Sequence, residues 1–255
     1  MVPTLSQRGP THDLVVSEGG DIAWAIRKNS PELKSELNAF INEHRDTTSF
    51  GATIRWRYFV DKRIVKNALD ENEARKFVAV IDLFRRYGAQ HNFDYLMIAA
   101  QAYQDSQLDQ SRHGAAGGVG LMQIKPSTAA AKPIGITGID RDPDRNVHAG
   151  CAYLRYLADT YVSDPAIDPV NRTLMSFAAY NAGPRNLQKF RAVAQQAGLD
   201  PNIWFNNVEL GAAKVAGLTP VQYVSNIYKY YISYQLADER LEADRKARED
   251  MGAEK

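Results

Sequence analysis

Apolar positions along the chain fall into two textures. Residues 20–28 alternate, with Ile22, Trp24 and Ile26 on one side, the period-two pattern of a half-buried strand. Ser30-Pro31 follows as an N-cap with a first-turn proline, and Leu33, Leu37, Phe40 and Ile41 then make the apolar stripe of a helix. One strand and one helix cannot enclose a core, so residues 1–45 read as the end of something larger. A second alternation, Ile54, Trp56, Tyr58 and Val60, predicts a short extended connector within 46–72.

From about residue 73 the pattern predicts helix after helix. Phe77, Val80, Ile81, Phe84 and Tyr87 make one stripe; Tyr95, Ile98, Ala99, Ala102 and Tyr103 make another. Asp142-Pro143 and Asp168-Pro169 open two further helices with a cap followed by proline. Thr219-Pro220-Val221-Gln222 reads as a capping box that launches the apolar run Tyr223 to Leu236. Tyr228, Tyr230, Tyr231 and Tyr234 cannot all share one helix face, so most of them are expected to pack. Residues 237–255 carry mixed charge with little to bury and read as a solvated helical tail.

Composition narrows the function. Thirty-one Lys and Arg against 30 Asp and Glu leave no basic excess for nucleic acid or anionic lipid. A single cysteine, Cys151, excludes an internal disulfide framework and a Cys-rich metal site; its helical pattern makes it a small core residue. The five histidines show neither HExxH nor metal-ligand spacing. Gly114 to Gly120 is neither a P-loop nor a dinucleotide fingerprint. Asn171-Arg172-Thr173 matches a glycosylation sequon by pattern only. The apolar run Tyr95–Ala100 is far too short to span a bilayer, and Met1-Val2-Pro3-Thr4 opens without a basic-then-apolar signal region.

The chemistry concentrates in three clusters: Tyr103-Gln104-Asp105-Ser106-Gln107, Gly120-Leu121-Met122-Gln123, and Ala178-Ala179-Tyr180-Asn181-Ala182-Gly183-Pro184. A carboxyl at the end of an apolar helix, lining a cleft, can have its pKa raised by partial burial and so serve as an acid near neutral pH. Asp105 is such a residue. Asp109 would share its helical face if the helix continued, which leaves a two-carboxylate hydrolase open. The alternative for Asp105 is a solvated or capping aspartate. Asn181 and Gly183 equally suit a helix C-cap, and Tyr223 equally suits the core.

In order and spacing these clusters resemble the soluble lytic transglycosylase domain, with Tyr223-Val224 matching a late Tyr-Val pair of that family. The resemblance covers roughly residues 73–236. Gly20 to Ile41 looks like the last strand and helix of a periplasmic solute-binding domain, the layout of the membrane-bound lytic transglycosylase F type. It implies a mainly α, lysozyme-like fold with a short α/β N-terminal remnant, no metal and no organic cofactor. The implied partner is the glycan strand of peptidoglycan and the implied location the periplasm or outer envelope. Any membrane association would come from segments outside this chain.

The resemblance also implies the reaction: non-hydrolytic cleavage of the bond between N-acetylmuramic acid and N-acetylglucosamine, leaving a 1,6-anhydro end. One carboxyl would act, Asp105, as acid and then base. Ser106, Met122, Gln123, Tyr180, Asn181 and Tyr223 would line the substrate, with Gln123 and its turn at the acetamido group. The chain departs from the family pattern in having Asp105 where that pattern has Glu, and Gly114-Ala115 where Ser-Pro is frequent. Aspartate is one methylene shorter, about 1.5 Å of reach, and a misplacement of about 1 Å can cost on the order of a hundredfold in rate. A catalytically impaired peptidoglycan-binding protein and a lysozyme-type hydrolase are therefore the rival readings.

Overall fold

The computed structural model describes residues 30–44, 48 and 71–253. The strand expected over 20–28 and the alternation at 54–60 lie outside the described residues. The chain divides into two compact units, Met1–Glu43 and His44–Lys255. In the first, helix α1 (Pro31–His44) starts at the predicted proline, and Leu33, Phe40 and Ile41 of its apolar stripe are exposed.

Among the described residues, the regular elements of the second unit are helical, a short π-helical turn at Trp204–Val208 and a series of α-helices. These are α2 (Glu71–His91), α3 (Tyr95–Ser106), α4 (Pro126–Ala130), α5 (Pro143–Tyr161), α6 (Pro169–Ala182), α7 (Pro184–Gln196), α8 (Glu209–Ala216) and α9 (Leu218–Ala253). The mainly α class read from the sequence is thus the class observed. No described helix is long and apolar enough to cross a membrane.

Local chemistry explains most of the boundaries. Asp142 caps α5 by accepting from the Asp144 and Arg145 amides, and Asp168 caps α6 by accepting from the Asn171 amide. Both precede a proline whose missing N–H costs nothing at a helix start. Asn171, the sequon residue, is half-buried and engages its side chain with protein partners: it donates to Asp168 and accepts from the Trp204 amide. Helix α9 begins at Leu218, two residues before the proline that the capping pattern marks, directly after Gly217 in the left-handed region (φ 73°).

Helix α3 is apolar nearly all round, the signature of a helix enclosed by others. Leu96 through Tyr103 are buried without a break, and α3 packs against α2 and α9. The predicted stripe of α2 lands in this core through Phe77, Ile81, Phe84 and Tyr87. Cys151 is fully buried there, and burial pushes its thiol pKa up, as expected of an inert packing residue. The tyrosines of α9 are mostly packing groups: Tyr234 stacks on Phe77 at 4.4 Å, and Tyr230 meets Tyr103 edge-on at 4.7 Å. A smaller cluster of Val119, Ile124, Ala129, Ile139 and Ala149 sits apart from the main core and supports the loop after α3.

Candidate active site

Helix α3 stops at Ser106 because the chain reverses there. Gln107 and Leu108 both adopt left-handed backbone (φ 57° and 58°), and the Gln107 amide closes the last turn on the Tyr103 carbonyl. Two consecutive non-glycine residues in that region are costly; burial of Leu108 offsets the cost. The helix therefore does not continue to Asp109. That residue is exposed, and its carboxylate accepts from the amide and hydroxyl of Ser111, which holds its pKa below the usual aspartate range. The helical face that a second carboxylate would have shared with Asp105 does not exist.

Asp105 has the opposite surroundings. It lies half-buried in the last turn of α3, its carboxyl closely surrounded by protein atoms, and accepts one hydrogen bond from the Tyr223 hydroxyl at 3.0 Å. Desolvation raises its pKa from 3.8 to about 8, against the opposing pulls of the Tyr223 hydrogen bond and the positive charge of Arg112. Near neutral pH this carboxyl holds its proton. Tyr223, on α9, is buried, and burial together with the nearby Asp105 charge holds its phenol well above the usual range, so it stays a donor. The same two causes act on Tyr180 of α6.

Tyr180 donates to the Met122 carbonyl at 2.8 Å, joining the acid to the turn Gly120–Gln123. That turn is clasped from three sides. Ser106, buried directly after the acid, places its hydroxyl 2.8 Å from the Leu121 carbonyl and 2.9 Å from that of Ala102. Gln110 accepts from the Leu121 amide. Asn146 of α5, fully buried, accepts from the Met122 amide and donates to the Val119 and Ile139 carbonyls. Gly120 is required here: its φ is 73°, and a Cβ would stand 2.3 Å from Asn146 Nδ2.

The residues selected from the sequence thus separate. Asp105, Tyr180 and Tyr223 converge. Ser106 and Met122 are buried, so they shape the turn and any outward contact falls to its backbone or to Gln123. Gln123 spends its amide nitrogen on the Arg112 and Gly120 carbonyls, at 3.0 and 2.8 Å. Its Oε1 faces Gly114, where a Cβ would approach to 2.5 Å, so the glycine that departs from the Ser-Pro pattern makes room for this oxygen. Asn181 is exposed at the end of α6. Sequence reasoning missed Asn146, Gln110 and Gln101. For Gln101 and Asn146 a signal was available, an amide side chain in or beside apolar positions, where an unpaired polar group is costly. Gln110 sits in the polar run 109–113 and carried none.

Two cavities lie elsewhere. One of about 420 Å³ is lined by His91, Ile134, His148 and Tyr156, and one of about 390 Å³ by Asp94, Arg172 and Tyr231, with Arg155 common to both. Neither includes Asp105 or the residues converging on it.

Residues 82–203 match the family described as the Transglycosylase SLT domain. Among curated proteins, the chain is similar to membrane-bound lytic murein transglycosylase F of Desulfosudis oleivorans. The two are 32% identical over 232 residues, which is 82% of this chain and 49% of that protein. The protein of the same name from Stutzerimonas stutzeri is 27% identical over 237 residues, 85% of this chain and 47% of its own length. The chain spans about half the length of these curated relatives. Among solved structures, an inactive mutant of lytic transglycosylase Slt from Pseudomonas aeruginosa aligns with a TM-score of 0.48 at 21% identity, over 68% of this chain and 27% of that one.

Proposed function

We propose, from the premise that residues 82–203 belong to the transglycosylase SLT family, that this chain cleaves peptidoglycan glycan strands as a lytic transglycosylase. The observation carrying the proposal is Asp105, a carboxyl whose pKa of about 8 keeps it protonated at neutral pH beside a buried tyrosine. In the reaction, Asp105 gives its proton to the glycosidic oxygen as the bond to the muramic acid C1 breaks. The resulting carboxylate then takes the proton of the 6-hydroxyl while that oxygen bonds C1, which closes the anhydro ring and restores the acid. No water is consumed. Tyr223 and Tyr180 sit within electrostatic reach of the changing charge, and the clasped turn with Gln123 and Asn181 offers polar groups to the sugar. The curated relatives are named as membrane-bound murein transglycosylases, which supports action at the cell wall, in the periplasm or outer envelope.

Mass spectrometry of muropeptides released from purified sacculi tests this, with Asp105→Asn as the blank. Anhydro-ended products above the blank are expected. Reducing ends instead would make the chain a hydrolase. No product, with the protein still sedimenting on sacculi, would make it a wall-binding protein. A large gain from Asp105→Glu would point to a cleft shaped for the longer acid.

A further inference from the structure

One polar side chain in the heart of α3 has no part in the mechanism above. Gln101 lies one helical turn before Asp105, in the midst of the buried run Leu96–Tyr103, with none of its surface exposed. Its Nε2 stands 3.2 Å from the Tyr223 hydroxyl, and its Oε1 has no hydrogen-bond partner among the described residues. A buried amide left half-satisfied costs stability, so its place in an otherwise apolar face calls for a reason.

The direction of the hydrogen bonds supplies one. A phenol has a single hydrogen. Tyr223 spends it on Asp105 Oδ2, so the other neighbour of that oxygen must be a donor, and Gln101 presents its NH2. We propose that Gln101 is a positioning residue: it fixes the polarity of the chain Gln101–Tyr223–Asp105, so that the Tyr223 hydrogen always points at the carboxyl. By donating to the phenol oxygen, Gln101 also makes that hydroxyl a stronger donor, since bonds in such chains polarise one another. The acid is then held by a directed contact rather than by a freely rotating hydroxyl. This matters most for the shorter aspartate, which has less length with which to find its place. The inference rests on Asp105 being the acid of the proposed reaction, but its test does not need turnover.

The groups facing Asp105 are Tyr223 from α9, Tyr180 from α6 and Arg112 from the loop after α3. Carbon-13 NMR titration of the Asp105 carboxyl in the full chain reads its midpoint directly. Tyr223→Phe removes the donor to the carboxylate and is expected to move the midpoint up by about one pH unit. Gln101→Met, close in shape and without an amide, is expected to move it in the same direction by about a third of that. In the double variant the Gln101 change is expected to add nothing, because its influence passes through the tyrosine. An unmoved midpoint in Gln101→Met overturns the proposal, as does an equal shift with and without Tyr223.

The unaltered protein offers a second reading that needs no variant to fold. The Gln101 side-chain NH2 resonance is expected to titrate with the Asp105 midpoint, and a resonance indifferent to that midpoint overturns the proposal. Absence of product from sacculi with these titrations as expected would refute the reaction and leave the positioning role standing.

Discussion

The clasped turn and the acid pocket are joined through Tyr180 and Ser106, yet they treat polar groups in opposite ways. Asn146 engages both ends of its amide, with Met122 on one side and Val119 and Ile139 on the other. Across from it, Asp105 receives one hydrogen bond among the described residues, and the Gln101 Oε1 receives none. A satisfied network is rigid and chemically quiet, because every lone pair and proton already has a partner. An under-satisfied pocket stores a poised proton at some cost in stability. The pairing of the two is instructive: the turn supplies a fixed wall, and the pocket keeps the reactive group on it unspent.

The contrast breaks first on activity. Asp105→Asn is expected to lower release of anhydro-muropeptides from sacculi by about a thousandfold or more. Asp109→Asn, four residues on but exposed and tied to Ser111, is expected to change it less than about twofold. Comparable losses in both variants would erase the distinction between the two carboxylates.

Next in size is Asn146→Ala. It strips partners from a buried amide and two carbonyls, and a loss of about 3 kcal/mol in urea unfolding is expected. A loss below about 1 kcal/mol would mean that the turn does not depend on its clasp.

The acid pocket predicts a change of the opposite sign. An unfolded chain releases the Asp105 proton near 3.8, whereas the folded protein keeps it to about 8. Between those values the folded state binds more protons, so this carboxyl removes stability as pH rises, by at most about 1.4 kcal/mol per pH unit, with the loss levelling off above the folded value. Asp105→Asn, having no charge to bury, is expected to be more stable than the parent by at least about 2 and at most about 5 kcal/mol at pH 8, and to match it near pH 4. Urea titrations at the two pH values check this, and a variant less stable at pH 8 would contradict the storage of strain in the pocket. The smallest effect is expected of Tyr180→Phe, which leaves the Met122 carbonyl without its donor and costs about 1 kcal/mol by the same measurement.

Much of this architecture was legible along the chain because its causes are short-range. The Asp-Pro caps of α5 and α6, the Pro31 start of α1 and the stripe of α2 each depend on residues within a few positions of one another. Three motif clusters pointed to Asp105, Tyr180 and the Gly120–Gln123 turn for the same reason. Less legible was the break after Ser106. Gln107 and Leu108 carry no glycine or proline to announce a reversal, and only the burial of Leu108 compensates for their backbone. Nor could position in the sequence tell that Met122 and Ser106 face inward while Asn181 faces solvent.

What the sequence determined by itself is therefore a helical chain bearing one candidate acid at a helix end, with the family motifs in order around it. Only the tertiary structure decided what that acid would be. Tyr223 stands 118 residues further on, beyond the segment matched to the family, and reaches Asp105 because α9 packs against α3. Capping and periodicity act over a turn or two of chain, whereas desolvation depends on every element that closes around a group. Asp105 and Asp109 share one residue type and one neighbourhood in sequence; the packing of α3, α6 and α9 is what drives one proton affinity up while Ser111 holds the other down.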